Sequence, residues 1–339
     1  FDTKILENNE VMIDDQFIGK IKGLKLELDL KKGALETDIK SLKKAARQTV
    51  GPELEKRIQT IIDEGLIELH DDFKIYWNKF PIAKLISGKD YLHPNFELIV
   101  DDILEQNHKQ KLIIYIEKWV KNKINTVLKS LIDLKDLKEK NSSIKALAYQ
   151  LYENNGVLKR DQVSTYLKNL GQNERKILRD MGVKFGRYHV FLHRLIKPEA
   201  VSLRTLLWKN YNQKCFDLKP PTFGLNFLED KNLKNKNFML LCGFEKFDSL
   251  YVRIDILERL FMQIINSEKE IKIIPEMLNL LGCNEENFKK LLQNMHYKII
   301  EKNNEIFFKY FPNKDNKKIF QKKARRESPF GVLKNLNFN

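Results

Sequence analysis

Hydrophobic and polar residues alternate in two stretches near the amino terminus, and the second stretch repeats the first at an offset of 64 residues. The alternation and the polar pairs Asp14-Asp15 and Asn78-Lys79 predict a β-hairpin in each copy, because such turn residues reverse a chain between two half-buried strands. Helical spacing follows each hairpin, and Pro52 and Pro94 are predicted to begin helices. Residues 1–135 are therefore expected to form a duplicated hairpin-plus-helix module whose hairpins share one sheet, and a structural role without a ligand is favoured for it. The repeated positions are Ile5, Val11, Ile13, Ile18, Gly19, Lys20 and Ile21 in the first copy, and Leu69, Ile75, Trp77, Ile82, Ala83, Lys84 and Leu85 in the second.

The middle of the chain is patterned as short helices that lead into an extended segment. Residues 142–180 show helical spacing interrupted by glycines, and Tyr188–Ile196 partly alternates, which favours a strand or an extended ribbon. Pro198 then begins an amphipathic helix that ends near Tyr211. These patterns predict a helical domain at 136–213 that contains a basic and aromatic segment.

The carboxyl-terminal third predicts a linker, a small domain and a tail. Residues 214–237 are expected to form a linker, because they contain Lys219-Pro220-Pro221 and the polar run Glu229–Asn237. Residues 238–311 begin with a predicted strand and continue with three helices and a hairpin, which is the order of a winged helix. Residues 312–339 are predicted to be a basic tail. The expected fold class is α+β and mostly helical, with a repeated module, a helical bundle and a winged-helix-like domain.

Positive charge is concentrated in two short regions of an otherwise nearly neutral chain. The net charge is +15, of which Met181–Gln213 carries +5 and Lys309–Arg326 carries +7, leaving +3 for everything else. A general enrichment in lysine would not produce this localisation, so an anionic partner is expected, and nucleic acid is the commonest such partner. The composition is that of a globular protein, and no apolar run or signal-peptide layout points to a membrane, so a cytoplasmic location is expected.

The basic and aromatic side chains of the two regions are the candidate contacts with nucleic acid. Lysine and arginine can hold phosphates, and aromatic rings can stack on bases. Two alternatives stay open: the aromatic rings belong to the core while the arginines bridge to a neighbouring domain, and the tail serves solubility or protein interaction. The candidate residues are Lys184, Arg187, Tyr188, His189, Phe191, Arg194, Lys197, Arg204, Lys322, Lys323, Arg325 and Arg326.

Sequence motifs for catalysis and for metal binding are missing. Gly19-Lys20 and Gly88-Lys89 lack the glycine spacing and the following Ser or Thr of a phosphate-binding loop. His189 and His193 are four residues apart, but valine stands where a zinc protease needs glutamate. The three cysteines, Cys215, Cys242 and Cys283, are too widely spaced for a zinc site. The sequence therefore predicts a chain that is not an enzyme and holds no metal or cofactor.

The run GVKFGRYHVFLHRLIKPEAVSLRTLLW, Gly182–Trp208, resembles the C-terminal region of bacterial helicases related to the mitochondrial degradosome RNA helicase, which are DExH-box ATPases of superfamily two. The resemblance extends over Lys74–Leu134 and over SPFGVLKNL at Ser328–Leu336, and so covers most of the chain. Such helicases carry their ATPase motifs in two RecA-like motor domains, which this chain lacks. ATP and Mg²⁺ are expected only in those missing domains.

The resemblance implies a non-catalytic accessory region that packs on the motor domains and helps to enclose a single strand of RNA or DNA, with a role in RNA degradation. The expected partners are therefore single-stranded nucleic acid and the motor domains of the same protein. The alternative is a protein-interaction scaffold whose basic segment docks on the motor or on a nuclease partner. The sequence does not decide between RNA and DNA.

Overall fold

A computed structural model describes residues 2–29, 36–137, 141–232, 235–264 and 269–311. The chain forms two compact units, of which the first comprises Phe1–Ile132 and Lys197–Lys219 and the second comprises Asp133–Ile196 and Pro220–Asn339. The described residues form an α+β structure with more helix than strand, as the sequence predicts. None of the described helices is long and apolar enough to cross a membrane.

The first unit confirms the internal repeat at the level of individual residues. Asp14-Asp15 and Asn78-Lys79 all have positive φ, as the tight turn of a two-residue hairpin requires. Both copies contain a β-bulge, after Val11 in one and after Ile75 in the other, again 64 residues apart. Each copy adds a fourth strand, and the two copies form two separate sheets rather than one. The strands are β1 (Thr3–Ile5), β2 (Glu10–Ile13), β3 (Gln16–Lys22), β4 (Lys25–Leu28), β5 (Glu68–Leu69), β6 (Lys74–Trp77), β7 (Phe80–Ile86) and β8 (Asn95–Leu98).

Three long helices accompany these sheets. Pro52 does not begin a helix but lies inside α1 (Glu36–Glu64) at an exposed position, and Pro94 precedes strand β8 instead of a helix. Helix α2 (Gln106–Val127) buries an apolar stripe at helical spacing, and each buried side chain contributes about 1.5–3 kcal/mol of hydrophobic free energy. Helix α7 (Pro198–Asn212) packs against α2 and β7, so it belongs to the first unit and not to the predicted domain at 136–213. The α2 stripe consists of Leu112, Ile116, Val120 and Ile124.

The second unit begins with short helices around a three-stranded antiparallel sheet. The extended segment predicted at Tyr188–Ile196 is a strand only as far as Leu192, and a turn of 3-10 helix follows at His193–Ile196. That strand lies between the other two strands of its sheet, and all four of its residues are buried. The elements are α4 (Ser142–Glu153), β9 (Val157–Lys159), α5 (Ser164–Lys168), α6 (Gln172–Asp180), β10 (Val183–Phe185) and β11 (His189–Leu192), in the sheet order β10-β11-β9. Along the chain, the boundary between the first unit and the second falls within helix α3 (Lys129–Lys135).

The remainder of the second unit has the winged-helix order that the sequence predicts. A helix, a short strand, two further helices and a two-stranded wing follow one another, and the short strand completes the sheet of the wing. The strand predicted at 238–242 is wrong, because 238–241 belong to a helix, Lys236–Leu241, and the predicted linker contains a strand, Phe227–Glu229. Residues 312–339, the predicted tail, lie outside the described residues. The elements are β12 (Phe227–Glu229), α8 (Lys236–Leu241), β13 (Phe244–Phe247), β14 (Leu250–Arg253), α9 (Ile254–Ile264), β15 (Ile271–Lys272), α10 (Pro275–Leu281), α11 (Glu285–Asn294), β16 (Tyr297–Lys302) and β17 (Glu305–Tyr310).

Candidate nucleic-acid interface

The loop between β10 and β11 closes around the carboxylate of Glu258, which projects from α9. The backbone N–H groups of Tyr188 and His189 donate to one Glu258 oxygen at 2.9 and 2.8 Å, and the N–H of Arg187 donates to the other oxygen. Gly186 makes this approach possible, because a side-chain carbon at that position would overlap the Glu258 carboxyl group. Three successive amides around one anion fix the path of the basic segment.

His189 lies buried between two carboxylates. Its Nε2 is 2.9 Å from Glu245 and its Nδ1 is 3.1 Å from Glu258, while Lys159 lies 3.5 Å from the other oxygen of Glu245. Burial lowers the pKa of His189, but the hydrogen bonds and charges of the two glutamates outweigh burial, so the pKa is raised from its ordinary value. Burial raises the pKa of Glu245, but the hydrogen bond and charge of His189 outweigh it, so that pKa is lowered. Both ring nitrogens face carboxylate oxygens, so both can donate, and the arrangement suits a charged imidazolium inside the second unit.

This arrangement corrects the prediction that His189 contacts nucleic acid, because only 2% of the residue is exposed. Phe191 is also 2% exposed and packs with Val157 and Ile254, and Arg204 is fully buried on helix α7. Buried side chains of this kind cannot contact a ligand from solution. The interpretation of the aromatic rings as core therefore holds for Phe191.

Tyr188 is half-buried and belongs mainly to the core of the second unit. Its ring lies 4.1 Å from that of Phe261, and its hydroxyl oxygen lies 3.1 Å from the hydroxyl oxygen of Tyr297. Burial and the hydrogen bond to Tyr297 raise the pKa of Tyr188 above its ordinary value. The ring is therefore a structural contact between the basic segment and the winged helix.

Four of the predicted cations are exposed and have no internal partner in the part of the chain that the structure describes. Lys184, Arg187 and Arg194 belong to the second unit, and Lys197 belongs to the first. None of the four makes an ion pair with a described carboxylate, whereas many other lysines of the chain do. Residues 322–326, which contain the four predicted tail cations, lie outside the described residues. The exposed cations are the part of the predicted set that the structure leaves accessible.

Helix α6 adds cations that the sequence analysis did not include. The guanidinium groups of Arg175 and Arg179 lie 5.6 and 5.7 Å from the centre of the Phe185 ring on β10. Arg175 also donates to the carbonyl oxygens of Leu167 and Leu170, which fixes it, while Arg179 is exposed. The i, i+4 spacing of the two arginines on a helix directly before the basic segment was the signal available in the sequence. Lys184 and Phe185 are neighbours on β10 and therefore project to opposite faces of the sheet, and Arg187 follows in the loop. We call Arg175, Arg179, Lys184, Phe185 and Arg187, which share this helix–strand–loop segment, the β10 cluster.

In a winged-helix domain the helix before the wing, here α11, is the one that would read duplex DNA, and its lysines are paired with glutamates. On α11, Lys289 lies 3.2 Å from Glu285, and Lys290 lies 3.2 Å from Glu286. The two glutamates occupy the first turn, where they would repel a phosphate. This helix therefore offers little attraction to a polyanion.

Comparisons of the chain with protein-family models, with curated proteins and with solved structures find no match. The helicase resemblance is therefore still a prediction, and the function has to be argued from the residues. Among the described residues, no group of three or more His, Cys, Asp or Glu side chains is arranged to hold a metal ion.

Proposed function

We propose that the chain binds single-stranded nucleic acid and acts as a non-catalytic accessory region of an ATP-dependent helicase. The observation that carries the binding proposal is the β10 cluster, in which exposed cations have no described carboxylate to neutralise them. Residues 157–196, from which the cluster comes, contain nine basic and three acidic residues, for a net charge of +6. Like charges so concentrated repel one another unless an anion relieves them, and a phosphate backbone does so.

The cluster suits a single strand better than a duplex. Phe185 is half-buried with the guanidinium groups of Arg175 and Arg179 near its ring, and Arg179 is exposed, so the flat guanidinium of Arg179 beside the ring offers stacking surface to an unpaired base. A duplex hides its base faces, and the helix expected to enter its groove, α11, has paired cations. The proposed contacts are therefore phosphates on Arg179, Lys184 and Arg187, with stacking beside Phe185.

The connection to a helicase depends on the sequence resemblance alone. Under this proposal the motor domains, with their ATP and Mg²⁺, belong to another part of the same protein, and the present chain supplies surface to the translocating strand. Lys197 and Arg194 are exposed cations without described ion pairs, and they suit either the strand or the motor.

A second candidate function is a protein-interaction scaffold, in which the same cations dock on an acidic face of the motor or of a nuclease. The half-buried state of Tyr188 and the burial of Phe191 favour it, because they remove two of the predicted stacking rings from the surface. A scaffold predicts binding to an acidic protein and little binding to an isolated oligonucleotide.

Fluorescence anisotropy with labelled oligouridylate and oligothymidylate separates the two functions. The triple variant Arg179→Gln, Lys184→Gln, Arg187→Gln removes three exposed cations, and Lys289→Gln, Lys290→Gln removes two that are already paired. With a slope of about 0.7 per phosphate contact, loss of three contacts weakens binding about 50-fold in about 0.15 M salt. No binding by the unmodified chain at low salt, or equal affinities for the triple variant and the control, would contradict the proposal.

A further inference from the structure

The wing of the second unit presents two different faces. Strand alternation directs Ile299 and Phe308 into the core around Phe288, and it directs Lys298 and Lys309 to the opposite face. Both lysines are exposed, and they stand directly opposite each other in the β16–β17 ladder. Two like charges in a cross-strand pair are destabilising, so this pair needs an explanation.

Charge compensation differs between the two ends of the wing. Near the tip, Lys302 lies 2.7 Å from Glu270, and Lys272 on β15 lies 2.6 Å from Glu305. At the base, neither Lys298 nor Lys309 makes an ion pair within the described residues. The uncompensated positive charge of the wing is therefore located at its base.

An exposed ring stands beside Lys298, two residues after Lys309 in the chain. Phe311 is 66% exposed, and the ammonium of Lys298 lies 5.9 Å from its ring centre. Its backbone N–H donates to the carbonyl oxygen of His296 at 2.8 Å, which fixes the position from which the ring projects. Phe185 and Arg179 of the β10 cluster form the same kind of contact between a cation and an aromatic ring. The two places therefore offer the same chemistry.

Direct contacts connect the base of the wing to the β10 cluster. Tyr188 follows Arg187 in the chain and meets Tyr297 through the two hydroxyl groups, 3.1 Å apart. Tyr297 stands opposite Tyr310 in the ladder, with ring centres 5.4 Å apart, and Tyr310 is 52% exposed next to Phe311. The three tyrosines thus connect the β10 cluster to the base of the wing within one compact unit.

We propose that Lys298, Lys309 and Phe311 form a second contact site for the same single strand, with phosphates on the lysines and a base stacked on the ring. This inference rests on the proposed function and extends it by a second set of residues. An ammonium group over a ring that is 66% exposed, with a second lysine on the same face of the wing, suits a nucleotide better than an acidic peptide, because a peptide carboxylate would use the charge but leave the ring unmatched. The sequence that follows, 312–326, carries a further +6, which would add to the attraction for a polyanion.

The test uses the full chain and fluorescein-labelled oligouridylates of about 6 and about 20 nucleotides, short and long relative to the span of a single binding site. Phe311→Ala should weaken binding of the long oligonucleotide by about 5- to 100-fold, and Phe311→Tyr should restore it, because a tyrosine ring stacks equally well. Lys298→Gln, Lys309→Gln should lower the slope of log K against log salt by about 1.4, from two contacts of about 0.7 each. The short oligonucleotide should respond less, because it can be held by the β10 cluster alone.

Matched controls come from the same unit. Phe223→Ala removes a ring that is 54% exposed elsewhere, and Lys302→Gln removes a lysine of the wing that Glu270 already neutralises. Both should bind like the unmodified chain.

If the unmodified chain binds the long oligonucleotide and the β10 triple variant does not, while the wing variants bind normally, the second site is overturned and the proposed function stands. If the unmodified chain does not bind, the proposed function fails and the second site fails with it. Equal binding of polyglutamate, unaffected by Phe311→Ala, would identify an acidic protein as the partner and overturn this inference.

Discussion

The carboxylate of Glu258 is predicted to be the group on which the shape of the basic segment depends most. It accepts three backbone N–H groups, from Arg187, Tyr188 and His189, and it also faces the His189 ring. Glu258→Ala removes all four interactions at once. Glu258→Gln keeps one oxygen acceptor but places an amide N–H against the N–H of Arg187 and removes the negative charge beside the imidazolium.

The magnitude follows from the number of groups left without a partner. A buried donor that loses its acceptor costs about 1–3 kcal/mol. The amide of His189 is such a donor, and the amide of Tyr188 is partly buried. Breaking a buried ion pair by removal of one member costs about 3–5 kcal/mol. These contributions overlap because His189 belongs to both, so we expect about 4 kcal/mol for Glu258→Ala and about half of that for Glu258→Gln.

Urea denaturation followed by circular dichroism measures the loss, with Glu153→Gln as a matched control for an exposed glutamate of the same unit. All three tryptophans, Trp77, Trp119 and Trp208, lie in the first unit, so tryptophan fluorescence monitors that unit separately. The circular dichroism transition should begin at lower urea concentration in both Glu258 variants, while Glu153→Gln should stay within about 0.5 kcal/mol of the unmodified chain. Glu258 variants as stable as the control would refute the assigned role of this carboxylate.

Three further predictions concern the same packing and its counterpart in the first unit. Because the pKa of His189 is raised in the folded state, its contribution to stability should be complete below its ordinary pKa of about 6.5 and be lost as pH rises through the folded pKa. Because the pKa of Glu245 is lowered, its contribution should be complete above its ordinary pKa of about 4.5 and be lost as pH falls through the folded pKa. The stability difference between the unmodified chain and His189→Gln, measured by urea midpoints from acid to alkaline pH, should therefore be largest between these limits, and a flat difference would contradict the buried imidazolium. Gly186→Ala should destabilise the second unit by about 1–3 kcal/mol, since the new carbon displaces the Glu258 carboxylate. Thermal melting checks this, with Gly171→Ala as the control, because the carbon added there meets only the flexible end of the Glu174 side chain. Asp101→Ala should destabilise the first unit by about 2–4 kcal/mol, because this buried carboxylate accepts the N–H groups of Leu26 and Ile103 and lies 3.3 Å from Lys43; an unchanged tryptophan fluorescence transition would argue against it.

Local features of the fold followed from the sequence because they depend on neighbouring residues. Turn residues with positive φ, the alternation of apolar positions and the 64-residue repeat together placed the hairpins of the first unit correctly. The wing was found in the same way, from the turn at Asn303-Asn304 between two alternating runs. Pro52 misled the prediction because an exposed proline within a long helix loses only one backbone hydrogen bond, which the packing of α1 outweighs.

The candidate site was less predictable, because residues far away in the chain determine which of its side chains are buried and which are exposed. Glu258 is 69 residues from His189 and Glu245 is 56, so nothing near the histidine indicates that it is buried between them. One signal was present: Glu258 lies on the same helical face as the buried Ile254 and Phe261, where an acid needs a partner. The placement of helix α7 in the first unit likewise depends on contacts with α2 and β7, more than 70 residues upstream.

The salt dependence of single-strand binding tests the central claim most directly, because it counts the phosphate contacts that the exposed cations make. Anisotropy titrations of labelled oligouridylate over a range of salt concentrations give the slope of log K against log salt for the unmodified chain and for the variant Arg179→Gln, Lys184→Gln, Arg187→Gln. We predict a steep negative slope for the unmodified chain and a slope that is smaller in magnitude by about 2 for the variant. Identical slopes in the two proteins, or binding that does not respond to salt, would contradict the account.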